Sequence, residues 1–196
     1  MDVMTAIRTR RSHGAVTDEP ISMEVVSQIL EAAAWAPNHH RTEPWRFAVF
    51  MGDGRRHLAE AIHTGAYAAA EDIPESERQE DASKAANKVY RAPVIVAVWT
   101  AVGRGLHKNP PAWEDHAAVA AALQNMALAT HALGLGGFWK TGKPCTYPSV
   151  QKLLGLAPDK GDQVMGFFYI GHKDPEKGEP LRADPHWAEN TKWFDK

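Results

Sequence analysis

What this 196-residue chain has little of narrows its role before any motif does. It holds one cysteine, Cys145, so no disulfide can form within the chain, and the thiol suits a reducing compartment. Lys and Arg number 22 against 24 Asp and Glu, a formal net charge of -2, which leaves no electrostatic reason to expect nucleic acid or an anionic membrane as partner. No run of about twenty apolar residues is present, as a membrane-spanning helix would need. The opening stretch "MDVMTAIRTRRSHG" lacks the apolar core and small-residue cleavage site of a secretory signal, so a cytoplasmic protein is expected. No repeat, low-complexity tract or linker splits residues 1–196, and the length suits one domain that buries its own core without a covalent staple. Against these absences stand seven tryptophans, more than a core requires. Large flat side chains often line pockets and subunit contacts.

Hydrophobic spacing predicts ten elements in the order helix, helix, strand, helix, helix, strand, helix, strand, helix, strand. Asp2 caps a short helix carrying Val3, Met4 and Ile7, and "RTRRS" closes it, so that helix delivers arginines to its own end. Ser22 caps a second helix with an apolar stripe of Val25, Val26, Ile29, Leu30 and Ala33, which Pro37 stops. "WRFAVFM" reads as a strand, "GDGRR" as a turn and residues 55–70 as helix. Residues 71–81 are acidic and interrupted by Pro74, and a mobile surface segment is expected there. "PVIVAVW" is the strongest strand and belongs in mid-sheet. "EDHAAVAAALQNMALATHALG" is a long helix, apolar almost all round and therefore covered on most sides, with a run of alanines that lets another backbone approach. A strand "GGFWKTG", a short helix "PSVQKLLGL" and a last strand "VMGFFYIG" complete the order, and a polar tail from His172 to the end either frays or wraps a partner.

The chemistry concentrates at "APNHHRTEPW", between the second helix and the first strand. Adjacent His39 and His40 point in different directions, and no HExxH, CxxC or paired helical histidines accompany them, so zinc is disfavoured. The histidines at 13, 57, 63, 107, 116, 131, 172 and 186 are scattered, with solvated or capping roles the simplest expectation. There is no GxSxG, and Cys145 beside Pro144 carries no nucleophile signature. "GLGGF" follows a helix instead of opening one and lacks a third glycine, so a dinucleotide fingerprint is weak. An anionic cofactor fits "RTRRS" better, since guanidinium forks are the preferred phosphate partners. A solvated basic helix end explains the same residues equally well.

Four blocks in register carry a resemblance: "RRS" near the start, "ILEAAAWAPNHHRTEPWRFAVF", "GLGGFWKTG" and "VMGFFYIG" together resemble the nitroreductase family over nearly the whole chain to Gly171. The short length and the "APNH" loop resemble its compact YdjA-like branch. That resemblance implies an α+β fold, a central mostly antiparallel sheet flanked by helices in an intertwined homodimer. It also implies an oxidoreductase that binds FMN at the subunit interface, reduces it with NADH or NADPH and passes electrons to a small-molecule acceptor in a ping-pong cycle. Matched by position, Arg10, Arg11 and Ser12 would hold the ribityl chain, phosphate and pyrimidine edge, and His39 would donate from the partner subunit. Trp139, Lys140 and Thr141 would form the second cofactor stretch, with Gly136 and Gly137 allowing close approach. Pro44 and Trp45 match a structural Pro-Trp.

Departures lie at Arg41 and Glu43, where many relatives carry Asn and Gln, and at Gly14, where some carry Lys; flavin contacts from the loop are left open. Trp35 and the helix end from Ala129 to Gly134 fall where the compact branch meets nicotinamide, and Trp35 is kept as a cofactor-binding candidate, although core or interface packing is the simpler reading for both. Hydride transfer needs few protein acids or bases, so no catalytic side chain and no metal ligand is assigned. Nitroaromatics, quinones or similar molecules are the expected acceptors. Two other readings remain at this point: an FMN storage or delivery protein without nicotinamide turnover, and a metal-dependent hydrolase using His39 and His40.

Overall fold

The structure, a computed structural model, describes residues 1–105 and 108–195; His107 lies outside the described residues. Helix α1 (Val3–Thr9) is followed by α2 (Met23–Ala34), strand β1 (Trp45–Met51), α3 (Arg55–Ala68), α4 (Glu75–Asn87) and β2 (Val94–Thr100). Then come α5 (Ala112–Ala132), β3 (Gly136–Lys140), α6 (Pro148–Leu154) and β4 (Gln163–Gly171). The four strands form one sheet in the order β1-β2-β4-β3, every neighbouring pair antiparallel. The expected α+β architecture is therefore the observed one.

Strand alternation divides the core in two. On β2, Val94, Val96 and Val98 face α2 and α5, packing with Ile29, Ala33, Val119 and Met126. Ile95 and Ala97 face the other way, toward Leu58, Ile62 and Val150 of the layer formed by α3, α4 and α6, and toward Val89 in the turn after α4. Helices cover both faces, which is why β2 carries no charge anywhere along its length.

Three local features differ from expectation. Pro74 does not interrupt the acidic stretch at 71–81; it stands as the N-cap of α4, where a missing N–H costs nothing, and residues 75–81 form that helix's first turns. The long helix α5 buries Ala118, Val119, Ala122, Leu123 and Met126 at helical spacing, but the side carrying Trp113, Ala117 and Gln124 stays open within one chain. The tail folds back across its own chain: Val16 bridges Lys173, and the Thr17 amide donates to the His172 carbonyl at 2.9 Å. Among the described residues no helix is long and apolar enough to cross a membrane.

Candidate functional site

The Asp2 carboxylate accepts the Met4 and Thr5 amides at 3.1 and 3.0 Å, which fixes where α1 starts and hence where it ends. The half-buried Arg10 is its C-cap. Three residues on, the His13 amide donates to the Gly137 carbonyl at 3.0 Å, so Arg10, Arg11 and Ser12 run beside the outer edge of β3. The returning tail closes over them. Arg11 spends Nε on the Pro180 carbonyl at 3.1 Å and Nη1 on the Arg8 and Arg10 carbonyls at 2.9 and 3.0 Å, so its guanidinium straps the tail down. That strap carries Arg182 to the same place. The Arg10 guanidinium is held below its ordinary pKa, first by burial and then by Arg182 and Arg11, charges of its own sign.

Glu179 and Asp184 line the tail clefts beside Arg11 and Arg182, but the charges that act on Arg10 itself are arginines, so a further anion at Arg10 would be favourable. The donor set is the one that suits a phosphate, which would be met by forked N–H groups. Sequence reasoning missed Arg182, because a lone arginine in a polar tail has no periodic signal and only tail folding brings it to Arg10. It also assigned His13 to a scattered, solvated set, whereas His13 is buried at 6% exposure. Its Nε2 lies 3.1 Å from Glu179 without a properly aligned hydrogen bond. His131 is similar, with Nε2 2.8 Å from the Thr9 hydroxyl and a buried Nδ1 lacking a partner. Burial, the largest influence on each, holds both imidazoles below the ordinary value.

The second expected stretch lies at the end of β3. Trp139 donates its indole N–H to the Met165 carbonyl at 2.8 Å and lies across Gly166, where a Cβ would collide with the ring and where φ is +143°. Nearly half the indole stays open to solvent. Alternation sends Gly137 and Trp139 to one face and Phe138 and Lys140 to the other, so the Lys140 side chain leaves the Trp139 face. Lys140 joins Lys88 and Arg91, which together with burial, the larger cause, lower its pKa. Thr141 is exposed just beyond the strand. Gly137 and Gly136 are explained by the chain's own packing: a Cβ at Gly137 would meet the Tyr169 carbonyl at 2.9 Å, and one at Gly136 would meet His13 and Val16 at 3.1 and 3.0 Å.

The loop with His39 is built differently. His40, Arg41 and Glu43 adopt positive φ of 54°, 53° and 41°, a costly arrangement for three non-glycine residues in a span of four. It persists because three contacts pin it: the Thr42 hydroxyl donates to buried Asp115 at 2.8 Å, the Glu43 amide donates to Asn38 at 3.0 Å, and His39 Nδ1 meets Glu114 at 2.6 Å. His39 and His40 stack with ring centroids 3.8 Å apart. Pro44 and Trp45 are structural, as expected, with Trp45 buried in the core and the Pro44 carbonyl accepting the Ala101 amide at 2.8 Å. Trp35, the C-cap of α2, is 80% exposed, so packing in the core of its own chain does not account for it. Asp115, which ties this loop and Gly103 to α5, was not singled out from sequence; a carboxylate in a first helical turn looks like ordinary dipole matching.

These groups do not meet in one chain. Glu114, beside His39, and His131, beside Thr9, sit at opposite ends of α5, roughly 25 Å apart at 1.5 Å per residue. Among the described residues no cluster of three or more His, Cys, Asp or Glu could hold a metal ion.

Residues 7–172 match the Nitroreductase family. The chain is 32% identical over 171 residues to YdjA of Escherichia coli K12, covering 87% of this chain and 88% of that protein. It is 31% identical over 180 residues to YfhC of Bacillus subtilis, covering 90% and 89%; both relatives carry the name NAD(P)H nitroreductase. A solved nitroreductase-like family protein from Bacillus cereus superposes with a TM-score of 0.83 at 26% identity, covering 100% of this chain and 97% of that one. A nitroreductase from Bacteroides fragilis, solved with bound FMN, gives 0.73 at 27% identity and covers 100% of both chains. With the fold, the motif order and these matches in agreement, the chain belongs to the nitroreductase family.

Proposed function

We propose that this protein is an FMN-dependent oxidoreductase that takes electrons from NADH or NADPH and passes them to nitroaromatics, quinones or similar acceptors. The observation that carries this reading is the set of three arginines, Arg10, Arg11 and Arg182, collected beside β3 with like charges as Arg10's electrostatic neighbours. FMN ends in a phosphate with close to two negative charges near neutral pH. Arg10 and Arg182 bind that phosphate, while Arg11 holds the tail that presents Arg182. Ser12 lies next along the chain toward the strand, where the ribityl hydroxyls would run. Trp139, Lys140 and Thr141 hold the ring end through backbone groups and charge, with Gly137 keeping the strand between them flat against β4. When bound, FMN supplies the redox chemistry itself, accepting a hydride from the nicotinamide and reducing the acceptor in a ping-pong cycle.

The reading includes a homodimer. His39 is too far from Arg10 to serve the same flavin in one chain, and α5 leaves an open side with Trp113 and Ala117, while Val3, Met4 and Ile7 on α1 are also exposed. In a two-fold assembly His39 and Trp35 of each subunit complete the site begun by Arg10 in the other. The protein is then cytoplasmic, needs no metal, and acts on a small molecule.

The test is the visible spectrum of purified protein, followed by anaerobic addition of NADH and of NADPH. A flavin spectrum that bleaches with either nucleotide supports the reading. A bound flavin that neither nucleotide bleaches makes the protein an FMN carrier. A colourless protein that takes up no added FMN overturns the reading.

A further inference from the structure

A cleft of about 270 Å³ opens on the sheet face away from α5, between β3, α3 and α4. Its floor is apolar and aromatic, formed by Ile62, Phe167, Tyr147 and Tyr169, each under a tenth exposed. Three ammonium groups, Lys88, Lys140 and Lys143, stand around its mouth. The Arg91 guanidinium lies close by, 5.8 Å from the Phe138 ring centroid and bonded to the Gly14 carbonyl at 3.3 Å. No described carboxylate forms an ion pair with any of these four cations, whereas Lys84 one turn earlier on α4 is paired with Glu80 at 2.6 Å. Burial and repulsion from Lys88 and Arg91 make Lys140 a weaker base than usual, as expected where cations share a site that lacks an anion. Tyr169 is pushed up to about 12 by burial and so stays a neutral hydrogen-bond donor in the cleft wall.

An aromatic floor under a cationic rim fits one class of ligand. An aliphatic anion would leave the rings of Phe167, Tyr147 and Tyr169 uncovered, and a neutral arene would leave the ammonium groups without a counter-charge. We propose that this cleft binds a small aromatic monoanion, its ring against Tyr147, Phe167 and Tyr169 and its carboxylate or phenolate between Lys88 and Lys143. The site is separate from the arginine cluster, which lies at the other end of β3, and it meets the proposed flavin stretch only through Lys140 and Thr141. Binding here does not require turnover, so the proposal stands or falls independently of the redox reading.

Calorimetric titration of the FMN-loaded protein with 4-nitrobenzoate and with the neutral isostere 4-nitrobenzamide tests it. The carboxylate is expected to bind about tenfold more tightly at low salt, with the gap narrowing as salt is raised. Replacing the exposed pair, Lys88→Ala with Lys143→Ala, is expected to bring the two ligands within about twofold of each other while leaving 4-nitrobenzamide unchanged. Arg182→Ala is expected to leave the preference intact. Equal binding of both ligands by the unmodified protein overturns the proposal. So does a preference that survives the double lysine substitution, or one that disappears with Arg182→Ala, since the carboxylate would then sit at the arginine cluster. Loss of FMN binding or of nicotinamide bleaching bears only on the redox reading and leaves this measurement interpretable, because the protein without FMN can be titrated in the same way.

Discussion

Replacing Arg10 by methionine separates a phosphate-binding arginine from a structural one. The substitution keeps the aliphatic stem, so the half-buried packing at the end of α1 is largely retained while the charge is lost. Without an anion, Arg10 is destabilised by burial and by Arg182 and Arg11, so its removal should leave the thermal midpoint of the FMN-free protein unchanged or raised. With FMN the sign reverses. A charge-assisted pair to phosphate contributes about 1.5 to 3 kcal/mol, which predicts FMN binding weakened roughly tenfold to a hundredfold. The assay is fluorescence titration of the FMN-free protein with FMN, beside thermal melts with and without cofactor. Inorganic phosphate should stabilise the unmodified FMN-free protein by mass action and stabilise Arg10→Met less. Equal FMN affinity in the two proteins would refute the phosphate role of Arg10. A large fall in the cofactor-free midpoint would show that Arg10 serves the fold instead.

Three further outcomes rest on the geometry. If each site takes Arg10 from one chain and His39 from the other, mixing Arg10→Ala with His39→Ala chains after unfolding and refolding should restore about a quarter of the unmodified FMN sites, because half the dimers are mixed and each has one intact site; absorbance after gel filtration counts them, and no recovery would place both residues in one chain's site or in none. His13 and His131 have folded pKa values below the ordinary 6.5, so they bind fewer protons folded than unfolded, and their contribution to stability is complete above about pH 6.5 and lost as pH falls through that value toward the folded ones. Thermal midpoints should therefore drop between about pH 7 and 5, more steeply in Glu179→Gln, which removes the carboxylate that favours His13 protonation. Asp115→Ala should cost about 2 to 4 kcal/mol in urea unfolding, since it leaves the buried Thr42 hydroxyl and the Gly103 amide without their acceptor, and a change below about 0.5 kcal/mol would mean that water replaces the carboxylate.

The elements were legible because their signals are local. Asp2 and Ser22 cap the helices they were expected to cap, and the seven residues of "WRFAVFM" are β1 without a residue to spare at either end. The uncharged run of β2 named its own place in mid-sheet, since a strand buried on both faces has no room for charge on either. Pro74 misled because the same residue that breaks a helix interior is well suited to a helix start, and the helix-forming run after it decides which applies. The site was half legible. Arg10 and Arg11 stood out as a basic cluster at a helix end, but Arg182 and Glu179 reach that cluster only through the tail's fold back over Val16, a contact between residues some 160 positions apart that no window of sequence contains. The left-handed turn at His40, Arg41 and Glu43 was equally hidden. None of the three is glycine or asparagine, and the conformation is imposed by Asp115, Asn38 and Glu114.

In the proposed dimer, the helix that keeps the arginine cluster and His39 apart in one chain is also what joins them across two. Thr9 and the arginine cluster lie at the C-terminal end of α5, and His39 lies at its N-terminal end. Two copies of α5 packed across a two-fold axis perpendicular to the helix must run antiparallel, so the His39 end of each faces the arginine end of the other. No rotation of loops within one chain could achieve this, because the separation is fixed by twenty-one residues of regular helix. The open side of α5 makes such packing possible, since Ala117 and Ala121 let backbones approach closely where Leu or Phe would hold them apart. Filling that side, for example with Ala117→Trp, should therefore disrupt the dimer and FMN retention together while the isolated chain keeps its own core, which packs against Ala118, Val119 and Ala122 on the opposite face. Light scattering read beside flavin absorbance decides it: a monomer that still holds FMN as tightly as the unmodified protein would show that one chain suffices, and the division of the site along α5 would lose its meaning.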